Sequence, residues 1–457
     1  MITLQKIKNI GRFREIVTVL IRHGFGEAFD RLNLPATIYL RSKVQEAYEG
    51  ARLEPREGRR LRMALEQLGA TFVKLGQILS TRADLFSEET LAELSQLQAG
   101  VPPFPFEEVR TTFEEDGKRP LGEVFREFDP VPLAAASIGQ VHRATLLDGT
   151  RVAVKVRRPG VEEKIQSDLD ILDYIAHMLE ERMPETRVYS PVETMREVRR
   201  TLTWELDYIN EAQNMREFAR NFQGDPDVFV PRVFLDASSS RVLVMDFVEG
   251  TPHARILADG EGVDRAALAK KGVRAILSQL FMHGFFHADP HPGNIRVLSD
   301  GRLCFLDFGM MGRLDRSMIA RVTDVLMAVA TGDYDAAARS LVRLGDPQKD
   351  LDYAALRREV REIAHRYYGV SLEKGSLSPL VAAIFRLAAE HKVRVPGSYA
   401  LMVKAFVTMD DVGKRLDPTL NMATEARPFV MAVLRNWHPN TRSTARGGAR
   451  CASSPTS

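Results

Sequence analysis

The sequence contains little cysteine, almost no net charge and no long uninterrupted apolar run. Two of its 457 residues are cysteines, which excludes a disulfide framework and favours a reducing compartment. Lys and Arg number 63 and Asp and Glu 61, for a net charge of +2. This balance argues against a nucleic-acid-binding protein, because phosphate neutralisation needs a surplus of cations on one face. No window approaches about 18 consecutive apolar residues, so we expect no segment that crosses a bilayer by itself.

The remaining composition is that of an ordinary globular protein, with 44% hydrophobic and 27% charged residues. At about 150 residues per domain, the length predicts about three domain-sized units, or one bilobal core with an extension. Residues 1–21 place apolar side chains at helical spacing with basic residues between them, and Lys6 and Lys8 interrupt any signal-peptide core. This amphipathic helix either packs on the protein's own core or lies on an anionic membrane surface.

Hydrophobic periodicity predicts several helices. Apolar residues from Leu61 to Leu79 are spaced by alternating intervals of four and three, which predicts one helix with a continuous buried stripe. Further helices are expected at 107–115, 161–181 and 192–222. Nearly everything after residue 250 is expected to be helical, except for an irregular segment from His287 to Gly309. The composition of residues 438–457 predicts a disordered basic tail.

A short β region is also expected. The dipeptide Asp148-Gly149 lies between the β-branched segments 141–146 and 152–156, which predicts a β-hairpin. The apolar content of 241–248 predicts a further strand. Cys304 lies in an apolar run that is typical of a buried strand.

Three separated segments carry residues that fit phosphoryl-transfer chemistry. The second hairpin strand ends in Val-Ala-Val-Lys155, the segment His287-Ala-Asp289 continues to Asn294, and Asp307-Phe-Gly follows. This order of V-A-V-K, H-x-D-x-x-x-x-N and D-F-G is the kinase constellation. It predicts ATP as the bound nucleotide.

Each of these side chains suits one task in that chemistry. Asp307 and Asn294 offer the oxygen ligands that Mg²⁺ prefers, and Lys155 offers a positive charge to the nucleotide's phosphates. Asp289 is expected to accept the proton of the attacking hydroxyl or water, or to orient that group. A competing interpretation takes His287, Asp289 and His291 as a transition-metal site, but it leaves the other signature residues without a role.

Several longer motifs resemble the UbiB family of atypical protein-kinase-like proteins. They are K-x-G-Q at Lys74 to Gln77, A-A-A-S-I-G-Q-V-H from Ala134, E-L-D-Y from Glu205, and H-A-D-P-H-P-G-N from His287. The resemblance covers roughly residues 60–415. It implies an α+β fold, predominantly helical, that is a bilobal protein-kinase-like fold with a helical N-terminal extension.

The resemblance also implies an unusual nucleotide loop. Laid on G-x-G-x-x-G-x-V, the loop offers Ala where two glycines are usual, and alanine resists positive φ by roughly 1–2 kcal/mol. The loop is therefore expected to hold the triphosphate differently and to disfavour protein phosphorylation. The nucleotide-binding residues expected here are Ala134, Ala135, Ala136, Ser137, Gly139 and Val141.

Further residues take their expected roles from the family. By resemblance, Lys74 and Gln77 lie in an extension that folds over the active site, Glu205 and Asp207 interact with it, and Glu211 pairs with Lys155. The spacing places Asp207 and Glu211 at i and i+4 on the helix expected at 192–222, where they would share a face. No A-P-E follows the D-F-G segment, which also argues against phosphorylation of proteins.

The expected organisation has four parts. They are a helical extension at 1–115, a kinase-like N-lobe with a helical insert at 116–249, a helical C-lobe at 250–437 and the tail at 438–457. The expected activity is that of an atypical kinase or ATPase using ATP and Mg²⁺, in support of ubiquinone or another isoprenoid-quinone pathway. The resemblance implies an isoprenoid lipid or quinone precursor as substrate, quinone-biosynthesis enzymes as partners, and a cytoplasmic location peripheral to the inner face of the cell membrane. The alternatives are a nucleotide-sensing scaffold without turnover and a true protein kinase.

Overall fold

The computed structural model describes residues 10–32, 56–80, 82, 85–97, 101–259, 263–347, 351–374, 377–391 and 393–437. The tail expected at 438–457 lies outside these ranges. The fold is α+β and predominantly helical, as predicted from the sequence. The chain divides into two compact units, of which the first comprises Met1–Glu217 with Pro231–Val248 and the second Phe218–Val230 with Glu249–Ser457.

The helices and strands are numbered here in chain order. The helices are α1 Ile10–Leu20, α2 Gly26–Leu32, α3 Glu57–Leu68, α4 Ala70–Leu79, α5 Glu88–Leu94, α6 Phe106–Gly117, α7 Val161–Arg182, α8 Pro191–Glu205, α9 Tyr208–Asn221, α10 His253–Asp259, α11 Arg265–Ser278, α12 Arg316–Ala330, α13 Tyr334–Arg343, α14 Tyr353–Lys374, α15 Ser378–Glu390, α16 Gly397–Leu416 and α17 Met422–Trp437. The strands are β1 Phe125–Phe128, β2 Ala134–Ala135, β3 Gly139–Leu146, β4 Arg151–Arg157, β5 Val228–Phe229, β6 Val242–Asp246, β7 Thr251–Pro252, β8 Phe285–His287, β9 Ile295–Val297, β10 Leu303–Phe305, β11 Met311–Arg313, β12 Asp346–Pro347 and β13 Val393–Arg394.

The first unit contains an antiparallel sheet of order β1-β3-β4-β6, with β2 paired to β3. The predicted hairpin is confirmed, since β3 and β4 pair across Asp148-Gly149 with Val141 opposite Lys155. The helix expected at 107–115 is α6, and its Phe113 packs against Phe125 of the sheet with ring centroids 5.3 Å apart. The valines of β4 and β6 complete this buried cluster, so burial of one sheet face under α6 fixes the strand register.

The single helix expected from Leu61 to Leu79 is wrong, because the chain breaks at Gly69. Gly69 has φ 93° and ψ −163°, a conformation that only glycine adopts at little cost. Its N–H closes α3 by donating to the carbonyls of Leu65 and Glu66. Both resulting helices still bury the apolar stripe, including Leu68 and Phe72. The periodicity therefore predicted the buried residues correctly and missed the break.

The single helix expected at 192–222 is also wrong. α8 ends at Glu205 and α9 begins at Tyr208. The Asp207 carboxylate accepts a hydrogen bond from the backbone N–H of Ile209 at 3.0 Å, and such a local bond competes with continuation of a helix. Asp207 and Glu211 therefore do not lie four residues apart on one helix, as the spacing had suggested.

The amphipathic N-terminal segment packs on the protein itself over the part that the structure describes. In α1, the side chains of Phe13, Ile16 and Val17 are buried. The Arg12 guanidinium lies 2.7 Å from a carboxylate oxygen of Asp168 on α7 and donates to the carbonyl of Leu68 at 2.7 Å. Among the helices of the described ranges, none combines the length and the apolar character that a membrane crossing requires.

The second unit holds a small sheet of order β5-β10-β9-β7 and two short ribbons, β8 with β11 and β12 with β13. β10 runs parallel to β5 and antiparallel to β9. Cys304 lies in β10 and is fully buried, as predicted, and burial raises the pKa of its thiol to about 12. The larger helices α11 to α17 form the rest of this unit.

Burial also shifts a histidine in the second unit. His253 is the first residue of α10 and is 3% exposed. Burial, assisted by the positive charge of Arg415, lowers the pKa of His253 to about 4. The folded state therefore prefers the neutral imidazole, and the unfolded chain takes up a proton first as the pH falls.

We expect His253 to make folding stability dependent on pH. The contribution of the neutral ring to folding stability is complete above about pH 6.5, the pKa of a histidine in the unfolded chain. It is lost as the pH falls towards the pKa of His253 in the folded protein. This corresponds to about 2 kcal/mol between roughly pH 7.5 and pH 5. His253→Gln should remove that part of the slope in urea unfolding curves. The matched control His177→Gln, at a half-exposed position, should leave the slope as in the wild type, and equal slopes in all three proteins would contradict the expectation.

Candidate active site

Lys155 is held by an ion pair within the first unit. It lies on β4 between the fully buried Val154 and Val156, and its Nζ contacts both carboxylate oxygens of Glu211 at 3.0 and 2.8 Å. Glu211 lies in the first turn of α9, where the helix dipole favours a negative charge. The two side chains are only 12% and 6% exposed. Each charge therefore depends on the other, because an uncompensated charge at such a position is strongly unfavourable.

The aromatic ring of Tyr208 completes this arrangement. Tyr208 is fully buried at the start of α9, and the Nζ of Lys155 lies 5.1 Å from its ring centroid. A cation at this distance from an aromatic face is stabilised by the ring quadrupole. Tyr208 thus connects the Glu205-Leu-Asp-Tyr segment to the lysine of β4.

The alanine-rich loop forms a tight turn between the paired strands β2 and β3. Ala134 pairs with Val141 and Ala135 with Gln140, and the Ala136 N–H donates to the Gly139 carbonyl at 2.8 Å. Within the described residues, the non-glycine positions with positive φ are Lys118, Ser190 and Asp307. Ala134 and Ala136 are not among them, so the loop avoids the conformation that alanine resists. Ser137 at its tip is buried.

Gly139 is required by the protein's own packing. A Cβ at this position would lie 2.4 Å from the Tyr208 hydroxyl oxygen and 2.5 Å from the Val156 carbonyl oxygen. Either distance is far below a van der Waals contact. The close approach that demands glycine is therefore to Tyr208 and β4, a reason that the alignment with phosphate-binding glycines did not reveal.

The expected residues of the extension find different partners. The Nζ of Lys74 on α4 lies 2.9 Å from a carboxylate oxygen of Glu205, the last residue of α8, and the Glu205 side chain is 4% exposed. Gln77 instead donates to the backbone carbonyl of Leu97 at 3.0 Å. Asp207 bonds the backbone at the start of α9. The structure therefore brings Lys74 together with Glu205, whereas Gln77 and Asp207 form hydrogen bonds with the backbone.

In the second unit, the histidines around Asp289 support the backbone. The His287 ring is fully buried, with Nε2 2.9 Å from the Leu306 carbonyl and Nδ1 accepting from the Asp289 N–H at 3.2 Å. The Nδ1 of His291 accepts from the Gly293 N–H. Burial lowers the pKa of His287, so its neutral form prevails. Because both His287 nitrogens are engaged, the competing transition-metal site at His287, Asp289 and His291 is wrong.

Asn294 and Asp307 lie on segments that a backbone hydrogen bond joins. The Leu306 N–H donates to the Asn294 carbonyl at 2.7 Å, and the Asn294 side-chain nitrogen donates to the Asp289 carbonyl at 3.2 Å. Asp307 has φ 56°, a left-handed conformation that costs a non-glycine residue about 1–2 kcal/mol. The next residue, Phe308, is fully buried, and its ring lies 5.1 Å from that of Phe218. This anchor holds the Asp307 turn in place while Asp307 itself stays exposed.

This donor set fits Mg²⁺. Across the parts of the chain that the structure describes, no group of three or more His, Cys, Asp or Glu side chains is arranged to hold a metal ion. Mg²⁺ does not need such a cage, since it is usually bound by one or two protein oxygens together with phosphates and water. The Asn294 nitrogen is used by the Asp289 carbonyl, so its Oδ1 is the atom that would bind a cation beside Asp307.

Lys404 was missed by sequence reasoning. Its Nζ lies 3.1 Å from the Oδ1 of Asp289. Burial acts to raise the pKa of Asp289, but the charge and the hydrogen bond of Lys404, together with His287, outweigh it and hold that pKa below the usual value. The one signal in the sequence is a lone charge in the apolar run Ala400-Leu-Met-Val-Lys404-Ala-Phe-Val. Nothing in that run indicates Asp289 as its partner.

We expect Gly139→Ala to destabilise the protein by about 1–3 kcal/mol, as overpacking of a close contact does. The measurement is the midpoint of thermal or urea unfolding. Gly122→Ala is the matched control, because a Cβ there meets no atom within 4 Å, and it should change stability by less than about 0.5 kcal/mol. A Gly139→Ala protein as stable as the control would show that the loop moves freely away from Tyr208.

We expect Lys74→Met to destabilise the protein by roughly 3–5 kcal/mol, because Glu205 would keep a buried charge without its partner. Adding Glu205→Gln should recover most of this loss, since the second change removes that charge. Urea unfolding of the two single variants and the double variant measures the coupling. Strictly additive effects would mean that the two side chains do not stabilise each other.

The chain is similar to known kinase-like proteins over most of its length. Residues 96–341 match the ABC1 atypical kinase-like domain and residues 360–421 the UbiB helical domain. A protein of Xylella fastidiosa named "Probable protein kinase UbiB" is 36% identical over 390 residues, which cover 84% of this chain and 71% of that protein. A Marinobacter nauticus protein of the same name is 37% identical over 386 residues, covering 83% and 70%.

Two further similarities concern less informative relatives. An uncharacterized protein of Synechocystis sp. is 38% identical over 383 residues, covering 83% of this chain and 66% of that protein, so the chain spans just under two thirds of that relative's length. A Mycobacterium tuberculosis protein solved in complex with erythromycin has a similar fold, with a TM-score of 0.58 and 23% identity over 88% of this chain and 98% of that one. The family-model matches and the curated relatives together establish that the chain belongs to the UbiB family of atypical kinase-like proteins.

Proposed function

We propose that this protein binds ATP with Mg²⁺ and either hydrolyses it or transfers its γ-phosphoryl group to a small hydroxyl-bearing molecule or lipid. The observation that carries the proposal is the ion pair between Lys155 and Glu211. A lysine fixed in one position on β4 can neutralise a nucleotide's α- and β-phosphates. The kinase-like family supports the same class of activity.

The residues of the second unit would supply the remaining functions. Mg²⁺, when bound, would neutralise charge on the phosphates, and Asn294 and Asp307 would hold it. Asp289 would accept the proton of the attacking hydroxyl or water through its carboxylate, which the Lys404 charge keeps ionised near neutral pH. Hydrogen bonds with the backbone already orient two of these side chains, since Asn294 donates to the Asp289 carbonyl and Asp307 accepts from the Gly309 N–H.

Two features support a small acceptor instead of a protein substrate. The loop from Ala134 to Gly139 is closed by pairing between β2 and β3. The Tyr208 hydroxyl occupies the space beside Gly139. Lys74 and Glu205 tie the K-x-G-Q helix to α8. We propose that residues 1–115 act as an extension that limits access, followed by kinase-like lobes at 116–249 and 250–437.

The cellular setting is proposed on the relatives' names. The name UbiB supports a role in ubiquinone or another isoprenoid-quinone pathway, with a polyprenyl lipid or quinone precursor as ligand and quinone-biosynthesis enzymes as partners. We propose a peripheral location on the inner face of the cell membrane. The apolar residues of α1 are buried against the protein, so this attachment would use another surface.

The experiment is ATP hydrolysis by the purified protein with Mg²⁺, with and without anionic liposomes and with and without a soluble phenol resembling a quinone precursor. We expect turnover that rises with the lipid or the phenol. Asp307→Asn should reduce the turnover at least about a hundredfold, as loss of a metal-holding carboxylate does. Asp300→Asn, a surface carboxylate in a turn, is the matched control.

Other outcomes would point to other functions. Nucleotide binding without turnover under any condition would contradict the proposal and indicate a nucleotide-sensing scaffold. Phosphate transfer to a partner protein that Asp289→Asn abolishes would indicate a protein kinase. A strain that lacks the protein and keeps normal quinone levels would remove the proposed role in quinone synthesis.

A further inference from the structure

Lys404 belongs to a different family domain from its partner. Lys404 lies in the part that matches the UbiB helical domain, and Asp289 lies in the ABC1 kinase-like part. Both belong to the second compact unit, and their charged atoms are 3.1 Å apart. The helical domain thus places a positive charge on the carboxylate that the kinase constellation uses as proton acceptor.

The backbone that carries Lys404 is firmly anchored. Its neighbours Met402, Ala405 and Phe406 are buried in the helical core. Earlier in α16, the fully buried Tyr399 donates its hydroxyl proton to the Met318 carbonyl on α12 at 3.2 Å. The helix therefore presents Lys404 from a fixed backbone position, and the ion pair with Asp289 fixes the end of its flexible side chain.

The side chain and the backbone of Asp289 are each held by contacts. The ion pair joins the Nζ of Lys404 to Oδ1. The Asp289 backbone is fixed separately, because its N–H donates to His287 and its carbonyl accepts from Asn294. With the backbone held on both sides and the carboxylate held by Lys404, the orientation of the Asp289 side chain is restricted.

The local charges explain why a cation is useful here. Asp307 acts on Asp289 as a like charge, whereas Lys404 and, when protonated, His287 act in the opposite direction. Two carboxylates near one another repel and tend to turn apart. Lys404 offsets that repulsion at the Asp289 end.

We propose that Lys404 is a positioning residue for the reaction, which orients the Asp289 carboxylate towards the attacking hydroxyl or water. This inference rests on the proposed function. In the step concerned, the attacking oxygen forms a bond to the γ-phosphorus, its proton passes to the Asp289 carboxylate, and the bond from the γ-phosphorus to the bridging oxygen breaks to release ADP. Lys404 touches none of the reacting atoms and acts through Asp289.

A purely structural role makes a different prediction. The side chains of Lys404 and Asp289 are 22% and 42% exposed, and exposed ion pairs of this kind contribute less than about 1 kcal/mol to stability. A structural pair would therefore leave both the unfolding midpoint and the turnover nearly unchanged. A positioning pair would leave stability unchanged but lower kcat.

The test is steady-state ATP hydrolysis with Mg²⁺ by the full-length protein. Lys404→Met should lower kcat about tenfold to a hundredfold, the size expected for a misoriented proton acceptor, with KM for ATP within about twofold of the wild type. Lys404→Arg should keep kcat within about threefold, because the charge remains. The matched control is Lys414→Met on the same helix, whose ammonium contacts the Leu420 carbonyl, and it should leave kcat unchanged.

A double-variant cycle identifies the route of the effect. If Lys404 acts through Asp289, adding Lys404→Met to Asp289→Asn should cause no further loss of kcat. An undiminished further loss would overturn the inference by showing that Lys404 acts elsewhere. If Lys404→Met does not fold, Lys404→Gln replaces it, and equal activity of the Gln and Arg variants would likewise overturn the inference.

The same data separate this inference from the proposed function. An active wild type with a fully active Lys404→Met variant contradicts only the positioning role. A wild type without turnover under any condition contradicts the proposed function and the positioning role together.

Discussion

The ion pair between Lys155 and Glu211 is the contact on which the organisation of the first unit depends. It requires β4 to present Lys155 beside α9, and it requires α9 to begin where Glu211 falls in the first turn. The first condition is met by a hairpin whose register is fixed by burial of one sheet face. The second is met by the break after Glu205, where Asp207 bonds the backbone and lets a new helix start. Two charges that are almost fully removed from water are acceptable only as a pair.

The sequence was sufficient for the parts that depend on local pattern. The hairpin followed from Asp148-Gly149 between β-branched segments, and the buried strand around Cys304 followed from an apolar run. The order of the kinase signature residues and the longer motifs predicted the family correctly. These predictions were correct because the turn and each signature motif consist of a few neighbouring residues.

The structural features that the sequence did not predict depend on single residues or on partners far apart in the sequence. Apolar spacing indicates which positions are buried but not where a helix ends. It therefore predicted one helix through Gly69, although one glycine with positive φ is enough to end a helix. The same spacing predicted one helix through Leu206-Asp207, where a hydrogen bond between the Asp207 side chain and the backbone competes with the helix. The partner of Asp289 could not be found at all, since Lys404 lies in another domain and only folding brings the two together. The sequence also did not indicate that Gly139 is required by its close approach to Tyr208.

The contact between Arg12 and Asp168 has a consequence for the order in which the chain can fold during synthesis. The two residues are separated by 156 positions, and at about 5–20 residues per second the ribosome needs roughly 8–30 s to make the intervening chain. Until α7 is made, Arg12 lacks this partner. The α1 side chains that become buried, Phe13, Ile16 and Val17, cannot complete their packing before then. The first helix of the described chain therefore reaches its final environment only after α7 has been synthesised. A nascent chain would expose an apolar face over that interval, which is the kind of surface that chaperones bind.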